Sequence, residues 1–336
     1  MDSLTHIAIG ACIGELFLGK EIGKKAMLYG AVAASLPDMD FIAGFWLNTT
    51  EDLLAHRGIT HSILFAILIT WLLARFLKGR HKEANCSLQK WILFLGVEIF
   101  FHLFIDALNA YGIGWFEPFS HQRVSFHIIF VADPFYSVWP GITAFVLLLI
   151  NRHHPGRIQW ARMGLVLSSL YLVYCMTNKF RIDQAVKSQL IHQGISQQRY
   201  FTTPTSFNNW LWYVVAETDS GYNIGYRSVF DKKSFIDFHY YNRNARLLKP
   251  FRELKDIEQL ISFSQGYYQI EMSKEGLLFN DLRFGQINGW LDPDAPFVFH
   301  YYLQQPGANR MVVQRGRFEH SDWPTVKAFL RRVGGN

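Results

Sequence analysis

The stretch Leu88–Leu108, LQKWILFLGVEIFFHLFIDAL, decides the fold. It is long enough to cross a bilayer as one helix, which takes about 20 apolar residues. Yet it carries Glu98, His102 and Asp106. A helix sets His102 and Asp106, four apart, on one face, with Glu98 one turn earlier. Ionisable groups in such a span are costly and usually have partners. Taken alone, the His–Asp pair reads equally well as a hydrogen-bonded stitch between helices.

Working outward, this run has companions. Leu4–Gly19 is mildly apolar and rich in small residues that allow close helix packing (Ala8, Gly10, Ala11, Gly14). Ala26–Trp46 is long enough to span but holds Pro37, Asp38 and Asp40 near its end. Ser62–Leu77, Tyr136–Ile150 and Trp160–Phe180 complete a series that a soluble core does not explain. The expected fold is therefore an α-helical membrane domain of about five to six helices over residues 1–180. After Phe180 the pattern changes. The runs LWYVVAE (211–217), YNIGYRSVF (222–230), FIDFHYY (235–241), YYQIEM (267–272) and FVFHYYL (297–303) read as strands with one apolar face. Short helices are expected near Leu254–Ser264 and Pro324–Arg332. Residues 181–336 should thus form a small soluble α+β domain with an antiparallel sheet, outside the cytoplasm.

Charge placement orients the chain. The net charge is +6. In the first half much of it sits in breaks between apolar runs: Lys20, Lys24 and Lys25; Arg75, Lys78, Arg80, Lys82 and Lys90; Arg152, Arg157 and Arg162. Such breaks face the cytoplasm by the positive-inside rule. The basic balance is thus read as topological, with the lipid bilayer as partner and no nucleic acid. The three cysteines, Cys12, Cys86 and Cys175, form no CxxC pair, so neither a disulfide framework nor a thiolate zinc site is expected.

The residues with chemistry fall at the opposite ends of the same runs. His6 opens the first. Asp38 and Asp40, in PDMD, close the second. His56, Arg57 and His61, in HRGITHS, precede the third. His102 and Asp106 close the fourth. Each has a bland reading: a helix-start histidine, solvated turn aspartates, a structural HxxxxH. Their convergence on one face, opposite the basic breaks, favours a metal site. The metal set is His6, Asp38, Asp40, His56, His61, His102 and Asp106. Asp38, Asp40 and Arg57 are the candidate catalytic groups, with Asp38 or Asp40 as ligand or base and Arg57 as an anion clamp. Nitrogen and oxygen donors without cysteine suit one or two catalytic divalent ions, zinc first, then manganese or iron. His121, His127, Asp133 and Glu117 in the next loop are of second rank.

The ordered motifs SLTH, LPDMD, HRGITHS and HLFID (3–6, 36–40, 56–62 and 102–106) resemble those of the inner-membrane-associated metal-dependent hydrolases, a family also labelled LexA-binding or YdjM-like. The likeness covers roughly the first 150 to 180 residues and implies a bacterial inner-membrane location, with His6, Asp38, Asp40, His56, Arg57, His61, His102 and Asp106 at the motif positions. The ligand order is also similar, more faintly, to that of zinc-dependent phospholipase C. The later HxxxE or HxxxD pair of that class is missing here, so either one metal is lost or His121 and His127 replace its ligands.

The expected function is a multi-pass membrane-bound hydrolase, a phosphoesterase in the first instance, in which metal-activated water attacks an ester of an amphiphilic lipid or envelope substrate. The alternative is a non-catalytic membrane protein with a structural or sensing metal site and a partner-binding C-terminal domain; no particular protein partner is indicated. A transporter is ranked last, because the third, fifth and sixth runs hold almost no ionisable residues in their interiors.

Overall fold

The computed structural model describes residues 1–81, 86–251, 255–273, 276–303 and 322–336. Lys82 of the second basic break and Leu254 of the expected helix start lie outside the described residues. Contacts divide the chain into two units. One comprises Met1–Trp46, Ala55–Phe126 and Val131–Tyr174, the other Leu47–Leu54, His127–Phe130 and Cys175–Asn336.

The first unit is helical. Helix α1 is Ser3–Ile22 and α2 is Lys25–Ser35. They form an antiparallel hairpin around Gly23, whose φ of 62° lies in the left-handed region open to glycine. Their crossing is unusually close. A Cβ on Gly10 would stand 2.6 Å from the Ala34 Cβ, and one on Gly30 would run into the Gly10 carbonyl and come within 2.8 Å of Glu98 Oε1.

Helix α2 stops where Pro37, which has no N–H, begins a 3-10 segment, Pro37–Phe45. The expected single run from Ala26 to Trp46 is thus two elements, and the break carries Asp38 and Asp40. After α3, Thr49–Ala55, which falls in the second unit except for Ala55, and a 3-10 turn, Ile59–His61, come α4, Ile63–Arg80, and α5, Leu88–Asp106. Ser62 and Ser87 cap α4 and α5 by accepting from Phe65 N and Lys90 N. Helix α6, Pro134–Leu149, is capped by Asp133. Helix α7, Arg157–His192, is far longer than the expected Trp160–Phe180 run.

Five to six membrane spans were expected. Among the described residues, only α5 is by itself long and apolar enough to cross a bilayer. A second span results if α4 is taken with the segment Thr49–His61 that meets it at a 54° bend. Helices α2 and α6, at 11 and 16 residues, are too short.

At the end of the helices that carries Lys20 and Arg157, the Arg157 guanidinium donates to both carboxylate oxygens of Glu15 at 2.7 Å, and Nη1 also donates to the Leu147 carbonyl. Both side chains are buried.

The second unit contains two antiparallel sheets. Strands β1 (Arg199–Pro204), β2 (Leu211–Glu217), β3 (Gly221–Ser228) and β4 (Phe238–Asn242) form a meander. Strands β5 (Tyr268–Ser273), β6 (Gly276–Gln286) and β7 (Phe297–Tyr302) form the other. Helices α8, Lys255–Phe263, and α9, Trp323–Val333, match the two expected short helices. Every residue of β2 is buried. Trp212, Val214 and Ala216 cluster with Ile182, Val186 and Leu190 of α7, whereas Tyr213 and Val215 cluster with Leu282 and Phe297 of the other sheet. Burial on both faces explains why LWYVVAE is apolar almost without alternation.

Two stability predictions follow from the helical unit. Gly30→Val should cost roughly 1–3 kcal/mol or more through overpacking, and Arg157→Met about 3–5 kcal/mol, because it strands the buried Glu15 carboxylate. Thermal unfolding of the detergent-solubilised protein reads both; midpoints equal to wild type would contradict these packing assignments.

Candidate metal centre

Four helix ends build the site: the start of α1, the end of α2, the turn before α4 and the end of α5. His102 is held first. Its Nδ1 lies 2.5 Å from the Ala34 carbonyl, near the end of α2, so Nδ1–H donates and Nε2 is left as a bare lone pair. His61 is fixed likewise. Its Nδ1 faces Thr60 Oγ1 at 3.1 Å and Asp40 Oδ2 at 3.4 Å, which again leaves Nε2 bare. A partner on one ring nitrogen sets which nitrogen can ligate.

The two Nε2 atoms face each other at 3.2 Å. Asp38 Oδ1 stands 3.5 Å from both. Asp106 Oδ2 stands 3.4 Å from His61 Nε2 and 3.6 Å from His102 Nε2. Asp38, His61, His102 and Asp106 thus offer four ligand atoms within 4.8 Å of one another. Asp106 Oδ2 is buried and accepts no hydrogen bond among the described residues. Two lone pairs and two carboxylate oxygens directed at one point repel unless a cation lies between them. The donor set therefore fits a divalent metal ion held by two nitrogens and two oxygens.

The surrounding residues orient these four. The His6 ring stacks on His102 with centroids 3.9 Å apart, and its Nε2 lies 3.1 Å from Asp106 Oδ1. The Met1 α-amino group also contacts Asp106 Oδ1. Asp40 accepts from the Arg57 backbone N–H at 2.6 Å and from Thr60 Oγ1 at 3.3 Å, and faces His56 Nδ1 at 3.1 Å. Asp40 and His56 thus lie behind His61, outside the four-ligand group, and His56 is 43% exposed.

Arg57 is 4% exposed, with φ at +59°, a strained position for a residue with a side chain. Its Nε approaches Asp106 Oδ2 to 3.2 Å without hydrogen-bond alignment, and Nη1 donates to Asn109 Oδ1 at 3.1 Å. The guanidinium is turned toward Asp106 and Asn109.

Of the second-rank residues, His121 is exposed and paired with Glu117 at 2.8 Å. His127 belongs to the second unit and stacks on Phe201. Burial, with the charges of Lys179 and Arg283, pushes its imidazole well below its ordinary pKa. Asp133 caps α6. None of these enters the four-ligand group. Asn109 and the Ala34 carbonyl, both essential to the geometry, were not foreseen: Asn109 lies in no motif, and a backbone carbonyl leaves no residue-type signal.

A family model described as YdjM inner membrane protein matches residues 1–182. Over 122 residues the chain is 33% identical to the inner membrane protein YbcI of Escherichia coli (strain K12), which covers 36% of this chain and 69% of that protein. Over 299 residues it is 26% identical to the uncharacterized protein YfhP of Bacillus subtilis (strain 168), covering 84% and 87% of the two chains. No solved structure matches. The chain, with its four-residue Asp/His site at the helix ends, belongs to the YdjM inner membrane protein family.

Proposed function

We propose that this protein is a membrane-bound hydrolase that depends on a divalent metal and acts on a phosphoester or related ester of an amphiphilic substrate. The observation that carries this reading is the pair of bare Nε2 atoms at 3.2 Å, flanked by Asp38 and Asp106. A divalent ion bound there, zinc by preference, supplies a Lewis acid that lowers the pKa of water and stabilises developing negative charge.

The remaining roles belong to the chain. Asp38 is the one of the four whose side chain is partly accessible, 18% against none for His61, His102 and Asp106. Substrate therefore arrives over Asp38, which is also the group placed to take a proton at its free oxygen. Asp40 holds the His61 tautomer. Arg57 and Asn109 are positioning residues for Asp106, a narrower role for Arg57 than anion binding. The segment that carries Asp38 also exposes Met39, Phe41 and Phe45, with Trp46 next to it, at 50%, 64%, 76% and 77%. An apolar, aromatic rim beside the entrance favours a substrate with an acyl or prenyl portion.

The site sits at the helix ends opposite the basic breaks. The reading that follows is a multi-pass protein with site and C-terminal unit outside the cytoplasm. A second reading, a structural or sensing metal, draws on the complete burial of three of the four ligands.

Metal analysis of the full chain in detergent tests the centre. Wild type should carry about one ion per chain and His61→Ala/Asp106→Ala almost none; a metal-free wild type after reconstitution, or a fully loaded variant, would sink the assignment. Asp40→Asn should weaken metal affinity about 10–100-fold while leaving the protein folded, as loss of an orienting partner does. Hydrolysis of lipid phosphoesters by wild type but not by His61→Ala separates the enzyme from the sensing reading. Reporter fusions after Arg80 and after Asp183 should place the first in the cytoplasm and the second outside; the reverse result rejects the orientation.

A further inference from the structure

Two apolar segments border the metal centre. One is the 3-10 segment Pro37–Phe45 with the residue after it, which exposes Phe41, Phe45 and Trp46. The other is WFEPF, 115–119, where Phe116 is 49% and Phe119 83% exposed. We propose that both segments lie in the headgroup layer of the bilayer that α5 crosses, so that the centre opens sideways into one leaflet and takes a membrane lipid as substrate. The choice of substrate rests on the hydrolase reading; the membrane contact rests on packing alone.

Hydrogen bonds fix the level of each segment. In the first, Asp40 accepts from the Arg57 N–H at 2.6 Å and from Thr60 Oγ1 at 3.3 Å. In the second, the Gly114 N–H donates to the Arg57 carbonyl at 2.9 Å, and the Trp115 carbonyl accepts from the Ile63 N–H at 3.0 Å. Ile63 is the first residue of α4. Both segments are thus tied to the turn from which α4 starts. That turn also meets the end of α5, where His102 Nε2 stands 3.2 Å from His61 Nε2. Because α5 is long and apolar enough to cross a bilayer, its end marks the level where hydrocarbon gives way to headgroups.

Continuity decides what covers these side chains. Ile59, in the turn, is 60% exposed, and Leu64 and Ile67 follow on α4 at 40% and 54%. The apolar outer stripe of α4 therefore runs up to both segments. Bulky apolar groups so exposed need a cover. At this level lipid supplies it: aromatic rings collect at the membrane–water interface, and an interfacial apolar face sinks about 5–10 Å into the boundary of headgroups and acyl chains. Asp38, the partly accessible member of the four, belongs to the first segment. A headgroup ester lies at the same depth, so a lipid reaches Asp38 without leaving the bilayer.

The test places one bimane label at a time, through Met39→Cys, Phe45→Cys or Phe119→Cys, in the full chain; the native Cys12, Cys86 and Cys175 are buried. The protein is reconstituted in phosphatidylcholine–phosphatidylglycerol vesicles, with iodide available on both sides of the membrane. Doxyl-phosphatidylcholine should quench all three labels, and iodide should quench them less than it quenches a bimane–cysteine adduct in solution. Phe45 and Phe119 are exposed enough for their variants to keep the fold, and these two decide the matter should Met39→Cys, next to a ligand, fail to fold. Quenching by iodide but not by doxyl lipid overturns the proposal, because the segments then stand in water. Shielding from both quenchers also overturns it, in favour of a second copy or another protein as the cover. Metal content read on the same samples separates the two readings. Metal-free protein with lipid-quenched labels rejects the metal centre and leaves the membrane contact standing, whereas loaded protein with unquenched labels rejects the membrane contact alone.

Discussion

The polar residues at one end of the helical unit converge on two imidazole nitrogens, His61 Nε2 and His102 Nε2, that face each other at 3.2 Å. Each is bare for a local reason. The Ala34 carbonyl takes Nδ1–H of His102, and Asp40 with Thr60 occupies the Nδ1 side of His61. The Ala34 carbonyl is available because α2 ends there: the last carbonyls of a helix lack intrahelical partners, and Pro37 cannot donate. One chain break thus supplies both the acceptor that orients His102 and the carboxylate, Asp38, that stands beside it.

That placement requires α1 and α2 to lie almost backbone to backbone. Gly10, Gly14 and Gly30 leave no room for a Cβ at the crossing. With larger residues α2 would move outward and take Ala34 and Asp38 with it. His6 would then lose its stack on His102. The glycines are far from polar chemistry, yet the geometry of the centre depends on them as directly as on its ligands. Close approach through small residues is also the means by which helices associate where no hydrophobic force distinguishes neighbour from lipid.

Much of this was legible in the sequence because the ligands sit in short motifs at the ends of apolar runs. The HxxxD spacing of His102 and Asp106 specifies a shared helix face, and PDMD announces both the helix break and its carboxylates. The strands of the second unit were visible from aromatic and β-branched runs. Two were not: β1, which ends in Pro204, and β6, whose buried Asn280, Asp281 and Arg283 interrupt the apolar pattern. The roles of His56, Asp40 and Arg57 were not legible either. Residue type alone cannot tell a ligand from the group behind it; only the direction of Asp40 toward His61 Nδ1, and of Arg57 toward Asp106, makes that distinction. The span count was blurred for a related reason. Apolar content reports that a helix avoids water, not whether it is long enough to cross a bilayer.

Helix α4 shows how the family's membrane location is written into packing. Of its 18 residues the buried ones are Ala66, Thr70 and Ala74, each four apart. Large apolar residues lie on the other side: Ile67, Leu68, Trp71, Leu72 and Phe76 are 49–66% exposed. A helix on a soluble core has the opposite arrangement, with bulky residues inward and polar ones outward. In water this outer face would be an apolar patch demanding a cover. In lipid it needs none, and the small inner stripe lets α5 approach closely enough to bring His102 against His61. The small inner stripe of α4 therefore sets the separation on which the candidate metal site depends.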